Sequence, residues 1–260
     1  MRLLRVLELL NTLGQASNME LARELALSPP TVYRLLQTLL DEGYVSKNSK
    51  TKLYRPAERV RGLSIGFDEG ASIADCARPL LAKLGDEMLW PVAIASVVGT
   101  SMVVHETTDA RSPLAIRPVM PGRRVGMVDT ASGRVFLAFC PEEQRDTLLD
   151  LLALSEDPRD APARRPQSVL RDLRNIRSVG YATSSRLGRV KPWRAVAVPV
   201  YANSRLLATL SMRYTQNAIR DSRLRDEIIP LLRSTATAIG ARFEAIFEAR
   251  EATRPARRGR

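Results

Sequence analysis

Residues 28–39 read SPPTVYRLLQTL, and this stretch decides the fold of the N-terminal part of the chain. Ser28 suits the N-cap of a helix and Pro29 suits its first position. We expect the helix to extend to about Glu42, because Gly43 follows as a helix terminator. Four aliphatic residues at helical spacing form its inner face. They are Val32, Leu35, Leu36 and Leu39.

Two shorter helices are predicted before this one. Apolar residues recur at helical spacing between Leu3 and Leu13, and Gly14 ends that pattern. Ser17 and Glu20 have the spacing of a capping box, in which each residue caps a backbone N–H group of the same helix start. Three helices with a tight turn between the second and the third predict a helix-turn-helix.

The outer face of the third helix carries hydroxyl, amide, guanidinium and aromatic groups, with no carboxylate before Asp41. Such groups contact phosphates and base edges in a major groove. Residues 44–55 then predict a β-hairpin with a polar tip, which is a wing. The candidate DNA-binding residues are Ser28, Pro30, Thr31, Tyr33, Arg34, Gln37 and Thr38 on the helix and Lys47, Lys50 and Lys52 on the wing. The alternative is a small structural or protein-binding domain.

The net charge of +12 favours an anionic partner, and double-stranded DNA is the first candidate. However, residues 1–56 carry a net charge of only +3, whereas residues 159–194 carry +8 and residues 250–260 carry +4. Most of the excess therefore lies outside the helix-turn-helix. The prediction of DNA binding depends on the helical pattern and the wing more than on overall charge.

Beyond Pro56, helical spacing continues to about residue 89, and the pattern then changes to short strands mixed with helices. Strands are predicted at residues 92–98, 102–107, 114–119, 181–185, 195–201 and 206–214, with helices between them and a long helix at 222–250. This predicts an α+β fold with a largely antiparallel sheet. The predicted organisation is a winged helix-turn-helix at 1–56, a linker helix at 57–70, a second domain at 71–250 and a basic tail at 251–260.

Several classes of protein are disfavoured by the residues. No apolar run approaches the roughly 20 residues of a membrane span, and no signal peptide is evident, so we expect a cytoplasmic protein without membrane contact. Cys76, Cys140 and the single histidine, His105, are isolated, so no metal or cofactor is expected. An enzyme is disfavoured because no nucleophile is paired with a base and no phosphate-binding glycine motif is present.

In the order and spacing of its motifs, the chain resembles the IclR family of bacterial transcriptional regulators over nearly its whole length. The motifs are LLRVLELL (3–10), SPPTVYRLLQTL (28–39), EGYV (42–45), PGRR (121–124), TASG (130–133), GYA (180–182) and VAVPV (196–200). Further segments resemble the subgroup that activates the catabolism of hydroxyphenylpropionate-type aromatic acids. They are WP (90–91), MVV (102–104), ETT (106–108) and LAFCPE (137–142).

The resemblance implies a winged helix-turn-helix joined to an effector-binding domain, and an aromatic acid as the effector. It places the effector between a curved sheet and the loop before the helix at 130–139, where Ala131 and Ser132 are expected to offer free backbone N–H groups to a carboxylate. The acidic stretch that many relatives have after GYA is basic here, which favours an anion. The candidate effector-binding residues are Trp90, Met102, Met120, Ala131, Ser132, Ser184, Arg186, Trp193 and Ala195.

We therefore predict a regulator of a catabolic operon that binds a DNA operator as a homodimer or a dimer of dimers, since one winged helix contacts few base pairs. The controlling effector is predicted to be a small aromatic carboxylate. The alternatives are a regulator that responds to a non-aromatic small acid and a repressor that works without a ligand.

Overall fold

The computed structural model describes residues 2–62, 73–115, 118–186 and 193–253. The chain divides into two compact units, Met1–Glu69 and Gly70–Arg260. Residues 57–62 of the predicted linker helix are described, with 59–62 helical, and the rest of that segment lies outside the described residues. Most of the predicted basic tail, residues 254–260, also lies outside them.

The first unit contains α1 (Arg2–Leu13), α2 (Asn18–Leu25) and α3 (Pro29–Asp41). The predicted capping box at the start of α2 is confirmed, because Ser17 Oγ accepts from Glu20 N–H and the Glu20 carboxylate accepts from Ser17 N–H. The hydrogen bonds that Ser17 donates to the Glu20 carboxylate, first from its backbone N–H and then from its hydroxyl, hold the pKa of Glu20 below its usual range. Ala26 takes a left-handed conformation after α2 and turns the chain into α3.

A short hairpin follows α3 and forms the wing. β1 (Val45–Lys47) pairs antiparallel with β2 (Tyr54–Pro56). Asn48 organises the connection, since its side-chain oxygen accepts from the backbone N–H groups of Lys50 and Thr51. The helices and the hairpin share one buried core, and α4 (Arg59–Gly62) comes after it. The winged helix-turn-helix is thus confirmed.

The second unit is built on a six-stranded antiparallel sheet. Its strands are β3 (Val92–Val98), β4 (Ser101–Thr107), β5 (Arg124–Val125), β6 (Ala182–Arg186), β7 (Trp193–Ala202) and β8 (Arg205–Thr215). The strand order is β5-β4-β3-β8-β7-β6. The α+β class predicted from the sequence is confirmed.

Helices cover both faces of this sheet and bury a separate core on each. One core lies under α6 (Ala131–Phe139), α7 (Glu142–Ala153) and α8 (Pro166–Val179), with a 3₁₀ helix at Pro158–Arg164 between the last two. The other core lies under α5 (Ile73–Met88) and α10 (Ile229–Thr253). Alternating residues of β7 supply the two cores in turn, as a strand with two buried faces requires, whereas the apolar residues of β8 lie mainly in the core under α5 and α10.

The predicted strand at residues 114–119 is wrong within its described residues, which form no strand. Pro118 lies within this segment and Pro113 and Pro121 flank it, and proline removes the backbone donor that a ladder needs. The strand that pairs with β4 at this edge of the sheet is instead the two-residue β5. The predicted closing helix is also interrupted: α9 (Asp221–Arg223) leads into a π-helical turn, Leu224–Ile228, before α10.

Candidate DNA interface and candidate effector site

The outward face of α3 is open to solvent in the arrangement that its spacing predicts. Val32, Leu36 and Leu39 are buried, and the side chains on the opposite face are exposed. The exposed candidates on this face are Ser28, Pro30, Tyr33, Arg34, Gln37 and Thr38, and Thr31 is half-buried beside them.

Two local hydrogen bonds shape this face. Ser28 occupies the N-cap of α3 but makes no side-chain capping bond; its hydroxyl instead pairs with that of Thr31 at 2.8 Å. Gln37 Nε2 donates to Asp41 Oδ1 at 3.2 Å, one turn further along the helix. The amide of Gln37 is therefore held at the surface, with its carbonyl oxygen available to a groove.

The wing presents its three lysines, Lys47, Lys50 and Lys52, to solvent. Lys47 Nζ lies 5.0 Å from the centre of the Tyr54 ring, a cation–π contact that orders the side chain. Lys52 has a left-handed backbone with φ of 60°, which fits it to the turn that closes the hairpin. Cations on the edge of a wing can contact the phosphate backbone without reading bases.

The second unit holds a row of three residues that crosses neighbouring strands. Ser184 pairs with Ala195, and Ala195 pairs with Arg213, so the three side chains point to the same face of the sheet. Ser184 and Arg213 are two strand spacings apart, roughly 10 Å. Ala195 packs in the core beneath α6, which identifies the face as the one that α6 covers. The small Ala195 forms a floor between two polar ends.

One polar end of the row meets the N-terminus of α6. Thr130 caps this helix, since its hydroxyl accepts from Gly133 N–H at 3.1 Å. Ala131 N–H donates to Ser184 Oγ at 3.1 Å. The expectation that Ala131 offers a free N–H group is therefore wrong, because the neighbouring strand already supplies an acceptor. Ser132 is buried in the first turn of α6.

At the other end of the row, Arg213 forms an ion pair with Asp109. The Asp109 side chain is 1% exposed and the Arg213 side chain 18% exposed, so the charges are largely withdrawn from water. Thr107 Oγ1 donates to Asp109 Oδ2 at 2.5 Å. The Arg213 guanidinium carbon lies 5.9 Å from the centre of the Trp193 ring, so an aromatic surface adjoins the cation.

Sequence reasoning missed Arg213 and Asp109. In β8 the apolar residues alternate with polar ones, a pattern typical of a strand with one face in solvent. The sequence therefore indicates no role for the polar residues. The structure instead packs helices on both faces of the sheet, so Thr209 is fully buried and Ser211 and Arg213 are half-buried. One signal was available. Arg213 follows Thr209 and Ser211 on the same side of β8, and β8 lies between two other strands, where a charged side chain needs a partner.

A cleft of about 880 Å³ adjoins the Ser184 end of the row. Arg134 of α6 spans it, with a bidentate pair to Asp172 of α8 at 2.5–2.8 Å and a 2.7 Å hydrogen bond to the carbonyl oxygen of Thr183. Arg165 and Arg194 also line the cleft. Arg134 thus fixes α6 against α8 and β6, and Asp129 and Asp172 line the cleft together with the arginines.

The remaining predicted effector residues are dispersed. Trp193 and Ala195 lie on the row or beside it, and Met102 is fully buried in the core under α6. Trp90 packs against the other core, on the α5 and α10 side, and Met120 is 48% exposed. Arg186 ends β6, and its side chain lies outside the described residues.

Within the described ranges, no helix is long and apolar enough to cross a membrane. No group of three or more His, Cys, Asp or Glu residues able to hold a metal ion occurs there either. The single histidine, His105, has a local partner, because its Nε2 lies 2.7 Å from Ser96 Oγ.

A winged helix-turn-helix followed by a separate α+β unit defines a class of DNA-binding transcriptional regulators. The family model of the IclR helix-turn-helix domain matches residues 1–49, and that of the bacterial transcriptional regulator IclR C-terminal domain matches residues 69–241. The second match alone covers more than half of the chain. The chain therefore belongs to the IclR family of DNA-binding transcriptional regulators.

Individual relatives are distant. The probable transcriptional regulator SauR of Cupriavidus necator is 30% identical over 154 residues, which are 59% of this chain and 61% of SauR, less than two thirds of its length. An IclR-family regulator from Brucella abortus is 25% identical, with a TM-score of 0.64, over 92% of this chain and 90% of that one. An IclR homologue from Microbacterium hydrocarbonoxydans, solved with 4-hydroxybenzoate, is 20% identical, with a TM-score of 0.69, over 94% and 98% of the two chains.

Proposed function

We propose that this regulator controls a catabolic operon in response to a small aromatic carboxylate bound over the row Ser184–Ala195–Arg213. The observation that carries the proposal is the largely buried Arg213, which lies beside the Trp193 ring and one strand away from the small Ala195. A cation, an aromatic wall and a small-residue floor on one face are the groups that recognise an aromatic acid.

In this proposal each part of the ligand has its own partner. The carboxylate binds the Arg213 guanidinium with charge-assisted hydrogen bonds. The ring lies over Ala195 against Trp193, and a polar substituent at the far end reaches Ser184 or Ser132. The carboxylate shares Arg213 with Asp109, and Arg165 in the adjoining cleft supplies further positive charge.

The test is a calorimetric titration with 4-hydroxybenzoate, a probe chosen because the Microbacterium homologue is solved with it. The double variant Arg213→Gln/Asp109→Asn removes both charges and leaves no buried charge unpaired. We expect it to weaken binding by about ten- to a hundredfold, the value of one charge-assisted hydrogen bond. Arg225→Gln, at an exposed position that lines neither the row nor the adjoining cleft, is the control and keeps full affinity.

A second arm screens aromatic and aliphatic carboxylates by thermal shift, since a ligand that binds the native state raises its stability. Stabilisation by aliphatic acids alone would replace the aromatic effector with a non-aromatic one. If no acid shifts the melting temperature while operator binding persists, the regulator works without a ligand. Transcription of the neighbouring genes with and without the acid tests the catabolic operon.

We further propose that α3 enters the major groove with Pro30, Thr31, Tyr33, Arg34, Gln37 and Thr38, while Ser28 and the three wing lysines contact phosphates. Exposure and chemistry support these roles. The protein acts as a homodimer or a dimer of dimers, so that two heads read two half-sites. It performs no chemistry on the effector; turnover of 4-hydroxybenzoate by the purified protein would contradict this.

A further inference from the structure

A second cleft lies at the opposite end of α6 from the Ser184 row and is separate from it. It has a volume of about 770 Å³, within the range of small-molecule sites. The last turn of α6, the start of α7, the end of α8 and the turn between β7 and β8 surround it. Since α6 has nine residues, the two ends of the helix are about 13 Å apart.

Aromatic side chains form one wall of this cleft. The rings of Phe139 and Tyr201 meet edge to face, with centroids 6.4 Å apart. Tyr201 is 39% exposed, so part of its ring remains open to the cleft. Phe136 and Val97 extend the apolar lining toward the sheet. A planar apolar group can stack or pack edge-on against such a wall.

Arg177 adds a positive charge to the lining of the cleft. It lies in the last turn of α8 and forms no ion pair among the residues that the structure describes. The Arg177 charge acts on Tyr201 of the aromatic wall. Burial raises the pKa of Tyr201, and the Arg177 charge opposes that rise. Glu142 also lines the cleft, but its carboxylate is 76% exposed and pairs with Arg145 at 3.6 Å. Arg177 is therefore left to bind an anion.

We infer that this cleft is a second binding site for a small aromatic carboxylate, whose ring packs on Phe139 and Tyr201 and whose carboxylate binds Arg177. The site is built from residues other than those of the Ser184 row. The inference of this second site does not depend on the function proposed above. Because both sites contact α6, occupation of one can alter the other through this helix.

The experiment uses the full-length protein in the Arg213→Gln/Asp109→Asn background, in which the first site is weakened. Calorimetric titration with 4-hydroxybenzoate is carried to about 10 mM. We expect one binding event per chain to remain. Adding Arg177→Gln weakens it by about ten- to a hundredfold, and adding Arg174→Gln, one turn earlier on the exposed side of α8, leaves it unchanged.

A second variant tests the cavity itself. Gln144 lies on the exposed wall that α7 contributes, so Gln144→Trp fills the cleft without disturbing a core and abolishes the remaining event. The inference is overturned if no event remains in the background variant, or if Arg177→Gln and Arg174→Gln have equal effects. It is also overturned if Gln144→Trp leaves the event intact. If Arg177→Gln weakens binding as expected but Arg213→Gln/Asp109→Asn does not change it, only the effector site proposed at the Ser184 row is refuted.

Discussion

At the scale of single residues, partners decide what a charged side chain can do. Arg134 is held by Asp172 and by a backbone carbonyl, so it orders α6 and α8. Arg213 has a buried partner and an aromatic neighbour, which place a largely desolvated cation beside a flat surface. Arg34 lies exposed on α3. The same residue type thus serves structure, proposed sensing and proposed DNA recognition.

Arg34→Ala is expected to abolish specific operator binding and to leave effector binding unchanged. The exposed guanidinium on α3 is suited to a bidentate contact with guanine, and a good contact of this kind contributes about 1–3 kcal/mol of discrimination. A gel-shift assay against operator and unrelated DNA measures the effect. Arg23→Ala, at the exposed surface of α2, is the control. Retained operator affinity would show that α3 does not read the bases through Arg34.

The single histidine gives the protein one simple pH response. Burial lowers the pKa of His105 from its usual 6.5, so the unfolded chain binds the proton more readily. Its contribution to stability is therefore fully present above about pH 6.5 and is lost as the pH falls through the lower folded pKa.

We expect His105→Gln, which keeps a hydrogen-bonding side chain next to Ser96, to flatten the change in melting temperature between about pH 7.5 and pH 5.5. Thermal melts of the two proteins in matched buffers test this. An equal pH dependence in both proteins would mean that carboxylates, and not His105, dominate this range.

At the scale of elements, the sequence predicted what local chemistry determines. The capping box, Thr130 at the start of α6 and the apolar spacing of α3 were all found where expected. The strand at 114–119 was not, because local β-propensity ignores the prolines within and beside the segment. Nor was the Arg213–Asp109 pair predictable, since it joins residues 104 positions apart and depends on the register of three strands.

Gly133 shows how closely α6 approaches the chain before it. A Cβ atom at this position would overlap the backbone of Met127, including its carbonyl oxygen. Gly133→Ala is therefore expected to destabilise the second unit by about 1–3 kcal/mol, as overpacking does. Urea unfolding measures the change, with Ser132→Ala in the same turn as the control. An unchanged midpoint would show that α6 can shift away from residue 127.

At the scale of the whole molecule, the two units have separate cores. The core of the first is formed entirely by residues before position 61, and both cores of the second by residues after position 72. The excess of positive charge, placed mostly in the second unit and the tail, is a property of the chain that the helix-turn-helix does not account for.

We expect residues 71–260 to fold alone, because domains with their own core do so. The fragment should show a cooperative thermal transition and bind 4-hydroxybenzoate with an affinity within roughly threefold of that of the full chain. Circular dichroism and calorimetry test the two statements separately. An unfolded fragment would contradict the independence of the second core, whereas a folded fragment that fails to bind would assign part of the effector site to the N-terminal unit.

The π-helical turn before α10 has a genetic consequence. Ile229 N–H donates to the carbonyl of Leu224, five residues back, and the adjacent Ile228 and Ile229 are both buried. Such a turn is what one inserted residue leaves behind in a helix whose two ends are held in place. Loss of one codon here would return the segment to ordinary helical spacing, whereas the same loss further along α10 would rotate its apolar face away from the sheet. Length variation among descendants of this gene should therefore be tolerated at residues 224–228 and purged at residues 232–239.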